Sequence, residues 1–164
     1  MTTTGQTMPG TPSEPVFFEQ TWDLSYRHAL GTTVGGFLEG LRRKELLGRR
    51  CPRCTRVLFP ARSFCDRCHV ATEEWVEVGH RGSLEMFTIV YEPFPGMRVK
   101  PPYVLAYALL EGADTAVVGY LKGMDLSDVD VASQAIRTGM AIDVRFSDHP
   151  EGQVTDFWFE PSRV

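Results

Sequence analysis

Long apolar runs are absent: nothing in the chain approaches the ~20 consecutive residues that a membrane-spanning helix requires. The opening stretch MTTTGQTMPGTPSEP has neither the basic lead nor the apolar centre of a secretory leader. The reading is therefore a cytoplasmic protein with no membrane partner. Cysteine is scarce, four in 164 residues, and all four lie between Cys51 and Cys68. In a reducing compartment such a cluster favours a metal over disulfides. A surplus of positive charge is also missing. With 17 Lys and Arg against 21 Asp and Glu, a general nucleic-acid binder is disfavoured. Histidine is confined to His28, His69, His80 and His149, none in a Ser/His/Asp or H-x-E setting, and no glycine-rich phosphate loop precedes a helix. With the cysteines given over to metal, no thiol remains as a nucleophile. The chain is read as non-catalytic on its own. Asp148-His149 is taken as a surface pair. Asp125, Asp128 and Asp130, lacking the glycine and terminal glutamate of a calcium loop, are taken as solvated caps.

What is present begins with CPRCTRVLFPARSFCDRCH, residues 51–69. Each C-x-x-C turn aims two sulfurs at one point. Two such turns joined by a short hairpin complete a tetrahedron, which is the preference of zinc. Val57, Leu58 and Phe59 are expected as strand, with Pro60 at the bend. Cys51, Cys54, Cys65 and Cys68 would fill every position around the ion, leaving none for water, so the metal is expected to be structural. Iron in the same cage is the chemical alternative. Cys65-Asp66-Arg67-Cys68-His69 also matches the haem-attachment pattern, but that reading would leave Cys51 and Cys54 without a purpose. Charge is uneven around this block. Nine Arg and Lys fall between Leu41 and Cys68 against Glu45 and Asp66, leaving eight against nineteen elsewhere. Part of that basicity offsets a four-thiolate zinc, which carries a net negative charge. The remainder either forms a solvated face or attracts phosphates.

Residues 1–15, mostly Thr, Gly, Pro and Ser, are expected to be a disordered lead-in. Residues 16–48 form an N-terminal helical segment in which Val34, Phe37, Leu38 and Leu41 keep helical spacing. Thr32 or Thr33 is the expected cap, and Gly48 the expected C-terminal stop. Phe17, Phe18, Trp22 and Tyr26 precede it, rings that either pack on the chain's own body or, with Phe37, dock a partner. Residues 49–74 are assigned to the ribbon. From residue 75 to 164 the period changes to two. Strands are expected at 83–92, 103–111, 115–122, 140–148 and 154–160, with a short helix in LSDVDVASQAIR capped by Ser127. Five strands with one helix between the third and fourth point to an OB-like barrel. The fold class is thus mainly β: an N-terminal helix, a four-cysteine zinc ribbon, then an OB-fold.

The order of these signals carries a resemblance. A helix and Gly48 lead into Cys51-Pro-Arg-Cys54. Leu58-Phe59-Pro60-Ala61-Arg62 bridges to Cys65-Asp-Arg-Cys68. Trp75, Gly82-Ser-Leu-Glu-Met-Phe-Thr88, Pro102-Tyr103 and Gly139-Met140 follow. Over roughly residues 33–160 this resembles the domain family of unknown function 35. Ala61 stands where members usually have a second proline, and Thr55 and His69 stand where many carry glycine after each knuckle. The resemblance implies a rubredoxin-like zinc ribbon followed by an acyl-CoA-associated OB-fold. It further implies an accessory subunit, not itself the catalyst, that binds and stabilises a thiolase-superfamily enzyme (a thiolase, acyltransferase or aldolase) and helps form its acyl-CoA site. A 2:2 heterotetramer is the expectation inherited from it. Arg49 and Arg62 are then candidate contacts to the CoA phosphates. The competing functions are a nucleic-acid-binding ribbon and OB module, and a scaffold without acyl-CoA contact.

Overall fold

The computed structural model describes residues 17–20 and 24–162. The expected lead-in at 1–15 and Trp22 lie outside them. Helix α1 (Gly31–Arg42) is followed by β1 (Leu47–Arg50), β2 (Val57–Leu58) and β3 (Glu74–Glu77). Next come β4 (Arg81–Val90), β5 (Tyr103–Leu110), β6 (Val117–Leu121), α2 (Val129–Ala135), β7 (Ala141–Phe146) and β8 (Phe157–Pro161).

The helix forms where its apolar spacing predicts, and Phe37 and Leu41 are buried while Val34 stays exposed. Its ends differ from expectation. The cap position is Leu30, which makes no side-chain bond, and Thr32 and Thr33 already lie in the first turn. The stop is at Arg43 and Lys44, not Gly48. Lys44 adopts φ 62° and its amide donates to Leu41 O, while the Glu45 amide donates to Gly40 O, so the last carbonyls are satisfied by the turn itself. Gly48 sits in β1, buried, where a Cβ would come within 2.9 Å of the Val57 side chain.

β1 pairs antiparallel with β2 and with β3, giving a small sheet in the order β2-β1-β3. The strand signal of Leu47-Gly-Arg-Arg50 is weak in composition, which is why the reading of a helical segment to residue 48 passed over it. The segment is extended because it is paired on both sides. The second unit is a five-stranded barrel in the order β4-β5-β6-β8-β7, closed by β7 against β4. Its β6–β8 seam is parallel and held by a single register pair, Leu121 with Phe159, and by the Lys122 amide donating to Phe159 O. This is the OB-fold expected from the sequence. β4 bends at a register shift between Leu84 and Met86, the local extra twist that lets a long first strand serve both β5 and β7. At Gly82 a Cβ would fall 2.2 Å from Leu109 O, so no side chain fits that crossing. β8 begins at Phe157, three residues later than expected, because Asp156 accepts from the Gly152 and Gln153 amides (2.7 Å each) and folds the preceding residues into a turn. The α2 cap is Asp128, which accepts from Asp130 N and Val131 N; Ser127 instead donates its amide to Asp125.

Helix, ribbon and barrel share one core. Phe37, Leu41, Leu46, Val57 and Phe59 pack in the same buried cluster as Leu84, Ala106, Leu110, Ile142 and Phe159. A smaller cluster, Cys51, Leu58 and Cys65, lies inside the ribbon. No helix among the described residues is long and apolar enough to cross a membrane.

Candidate metal centre and binding surfaces

The two C-x-x-C turns repeat one backbone design. Cys51 N donates to Arg56 O and Thr55 N returns to Cys51 O; Cys65 N donates to Val70 O and His69 N returns to Cys65 O. Closing each loop puts the residue after the second cysteine at positive φ, 63° at Thr55 and 53° at His69. Glycine tolerates that conformation best, so both side chains are carried in a backbone state that glycine would occupy more easily. The two knuckles are tied together by Arg56 and Asp66, 3.1 Å apart. Burial resists ionisation of Asp66, but the charge of Arg56 and the hydrogen bond from it hold the carboxyl below its usual range.

The four Sγ atoms lie within 4.8 Å of one another, and Cys54 Sγ and Cys65 Sγ are 3.7 Å apart. A tetrahedral ion with sulfurs at ~2.3 Å requires an edge of about 3.8 Å, so the cage fits zinc without rearrangement. Cys51 and Cys65 are buried, Cys54 and Cys68 half-buried. The Cys54 amide, 3.5 Å from the Cys51 sulfur, draws that thiol down to about 7 against the effect of its burial. Cys68 is pushed up to about 12 by its hydrogen bond with Cys54, by burial and by the other two sulfurs. Four crowded thiols cannot all ionise together unless a cation offsets them. A divalent ion would hold all four as thiolates, closing the ribbon as a structural centre. His69 is exposed and is not among the clustered ligands.

The other residues singled out from the sequence are dispersed. Arg49 is half-buried: its guanidinium lies 4.8 Å from the Trp75 ring centre and donates to Thr72 O, and its Nε is buried without a partner. Thr72 in turn donates its hydroxyl to Arg62 O. Arg49 thus braces the ribbon from within. Arg62 is exposed at a cleft of about 510 Å³ between the start of α1 and the ribbon, beside Val34 and Phe64. Phe37 is not outward-facing as expected: it is 4% exposed, edge-on to Phe59 at 5.8 Å. It belongs to the core because helical spacing puts it on the same face as Leu41. Phe17, Phe18 and Tyr26 are all more than 80% exposed, and Leu24 is 73% exposed. These rings do not pack on the chain's own body.

Two features were not legible beforehand. The free edge of β2 is covered by the turn after β5. Asp114 N donates to Val57 O and Asp114 Oδ2 accepts from Val57 N, both at 2.8 Å. Thr115 Oγ1 accepts from Phe59 N and donates to Phe59 O at 2.8 and 2.7 Å. Side chains here do the work of a missing strand. Asp114 was legible only as part of the EGAD turn, and Thr115 only as the first residue of the strand expected at 115–122. The second feature is a cleft along the outer face of β5 and β6. Its largest part, about 440 Å³, is lined by Tyr107, Val118, Tyr120 and Val154 and closed by Phe37 and Pro60. Alternation in β5 and β6 gave this face away only as the half-exposed partner of the core face.

Comparison with known proteins places these observations in a family. A family model described as the ChsH2 rubredoxin-like zinc ribbon domain matches residues 38–74, and the ChsH2 C-terminal OB-fold domain model matches residues 75–147. A DUF35 domain-containing scaffold protein of Methanocaldococcus jannaschii is 27% identical over 122 residues, covering 71% of this chain and 81% of that protein. Among solved structures, a DUF35-family protein of unknown function from Sulfolobus solfataricus aligns with a TM-score of 0.60 at 21% identity, covering 80% of this chain and 87% of that one. The Ltp2-ChsH2(DUF35) aldolase aligns with a TM-score of 0.63 at 22% identity, covering 82% of this chain and 98% of the matched chain. At these identities the two structures show a shared fold.

Proposed function

Because the chain belongs to the ChsH2-type DUF35 family of zinc ribbon and OB-fold proteins, we propose that it is the accessory subunit of a thiolase-superfamily enzyme. It binds that enzyme, stabilises it, and helps form the site for an acyl-CoA. The observation that carries the reading is the N-terminal arm. Phe17, Phe18, Leu24 and Tyr26 present large apolar side chains to solvent, and rings of this kind are concentrated at protein interfaces, where a few of them supply most of the binding energy. A relative described as a scaffold protein and a structural neighbour named as an aldolase of two components support the same role. The zinc held by Cys51, Cys54, Cys65 and Cys68 is structural. It fixes the ribbon, and through the ribbon the start of α1 from which the arm departs. Catalysis belongs to the partner, and the default assembly is a 2:2 heterotetramer.

Co-expression with a thiolase-superfamily enzyme of the same organism, followed by size-exclusion chromatography and zinc analysis, tests this. The expected result is co-elution with about one zinc per chain and acyl-CoA turnover that depends on both subunits. Phe17→Ala combined with Phe18→Ala should weaken association by at least tenfold, the loss expected when a hot-spot ring worth ~2 kcal/mol or more is truncated, while leaving zinc content unchanged. Separate elution of the wild-type chains, with the enzyme fully active alone, would sink the proposal.

A further inference from the structure

We propose that the β5–β6 cleft of the barrel binds an amphipathic anion, with its phosphate-bearing head at the β4–β5 loop and its uncharged tail running toward Phe37. This rests on the acyl-CoA part of the function proposed above and moves the phosphate contacts away from the ribbon arginines.

The cleft is made of three adjoining hollows that share lining residues. The apolar part described above adjoins a hollow of about 350 Å³ through Tyr120 and Thr155. That hollow adjoins a third, of about 210 Å³, through Val99, Tyr103 and Tyr120. Its chemistry is graded along its length. Among the described residues, no cation lines the first part, Lys122 lines the second and Arg98 the third, and no carboxylate lines any of them. Lys122 is placed by its own surroundings, with its ammonium 3.7 Å from the Trp158 ring centre. Tyr103 and Tyr120 meet edge to face, centroids 5.6 Å apart, at the junction between the basic and apolar ends, a surface on which a flat heteroaromatic group can stack.

Charge confined to one end suits a ligand with a charged head and an uncharged tail. A single nucleic-acid strand would need cations repeated along the groove to track its phosphates, and the apolar part offers none. The ribbon arginines are less suited to the head. Arg49 is committed to Thr72 and Trp75, and Arg62 lines a separate cleft beside Val34 and Phe64.

The test is calorimetric titration of the full-length, zinc-loaded chain with octanoyl-CoA, CoA, octanoate and an oligothymidylate, repeated on the complex. Octanoyl-CoA should bind more tightly than either CoA or octanoate. Arg98→Ala with Lys122→Ala should weaken octanoyl-CoA and CoA alike by about tenfold or more, as expected when charge-assisted contacts to phosphate are lost. Val118→Glu should weaken octanoyl-CoA much more than CoA, and Arg62→Ala should change neither. Circular dichroism and zinc content establish that each variant is folded. Four results would overturn the proposal: an unchanged affinity in the folded double variant, a loss caused by Arg62→Ala instead, octanoate binding as tightly as its thioester, or oligothymidylate displacing octanoyl-CoA at lower concentration. Absence of octanoyl-CoA binding in both the free chain and the complex would do the same. Failure of the chain to associate with an enzyme would remove the accessory role while leaving the titrations on the free chain valid.

Discussion

Thr55 and His69 occupy the two backbone positions where a left-handed conformation closes each metal knuckle. A side chain in that region costs ~1 kcal/mol or more, and a β-branched one is especially disfavoured. His69→Gly and Thr55→Gly should therefore raise the thermal midpoint, by ~2–4 °C for each kcal/mol recovered in a chain of this size. Part of the gain is offset because glycine also frees the unfolded chain. Differential scanning calorimetry on zinc-loaded protein checks this, and an equal or lower midpoint in both variants would contradict it. Cys54→Ser acts at the same scale with the opposite sign. Its sulfur is 3.7 Å from that of Cys65, and a hydroxyl that stays protonated at neutral pH cannot replace a thiolate. Zinc stoichiometry measured by mass spectrometry of the intact native chain should fall, and the midpoint with it. The cysteines were legible in the sequence because their spacing is itself the chemistry. The strain at Thr55 and His69 was visible only as a departure from a family habit of glycine, and the backbone angle supplies the reason for that habit.

Among the elements, β2 is two residues long yet is held on both edges. One edge pairs with β1, and the other is satisfied by Asp114 and Thr115 from the turn leaving β5. Thr115→Val keeps the shape and removes both hydrogen bonds, leaving the Phe59 amide without its partner. The expected loss is ~1–3 kcal/mol, and Thr115→Ser should restore most of it, readable as a shift in the urea midpoint. If Thr115→Val is as stable as the wild type, the clasp is not energetically significant. Strands β5 and β7 were foreseeable because alternating burial writes a period of two into the sequence, and β4 and β6 because they are rich in β-branched and aromatic residues. β1 and β3 were not. Leu47-Gly-Arg-Arg50 and Glu74-Trp-Val-Glu77 are held extended by each other, a tertiary effect that local pattern does not record. The ends of α1 were misread for a related reason: two threonines and a glycine are common helix signals, but here the turn at Lys44 and the packing of Gly48 against β2 decide the boundaries.

At the level of the whole molecule, the helix, ribbon and barrel share buried residues from Phe37 to Phe159. Metal loss should therefore not be a local event. Chelation is expected to lower the unfolding temperature of the entire chain, with near-ultraviolet circular dichroism and intrinsic fluorescence moving together in one transition. A chelated protein that melts in two separate steps, with the barrel unshifted, would show that the ribbon is energetically independent. Phe17, Phe18 and Tyr26 are the residues whose character the sequence conveyed only as a choice between self-packing and docking. Composition reports that these rings are present, and only the folded chain shows that they are uncovered.

The passage from ribbon to barrel has no slack. β3 pairs with β1 up to Glu77, then Val78 N donates to Leu46 O and Gly79 N donates to Glu111 O, so three successive residues hand the chain from one sheet to the other. Anyone dividing the protein into modules would find no neutral place to cut. A fragment beginning near residue 75 forfeits the strand that orders its first residues, and a chimera that exchanges the ribbon must carry the 113–115 turn along with it. Grafting would succeed only when the two halves of that clasp are transplanted as a matched set.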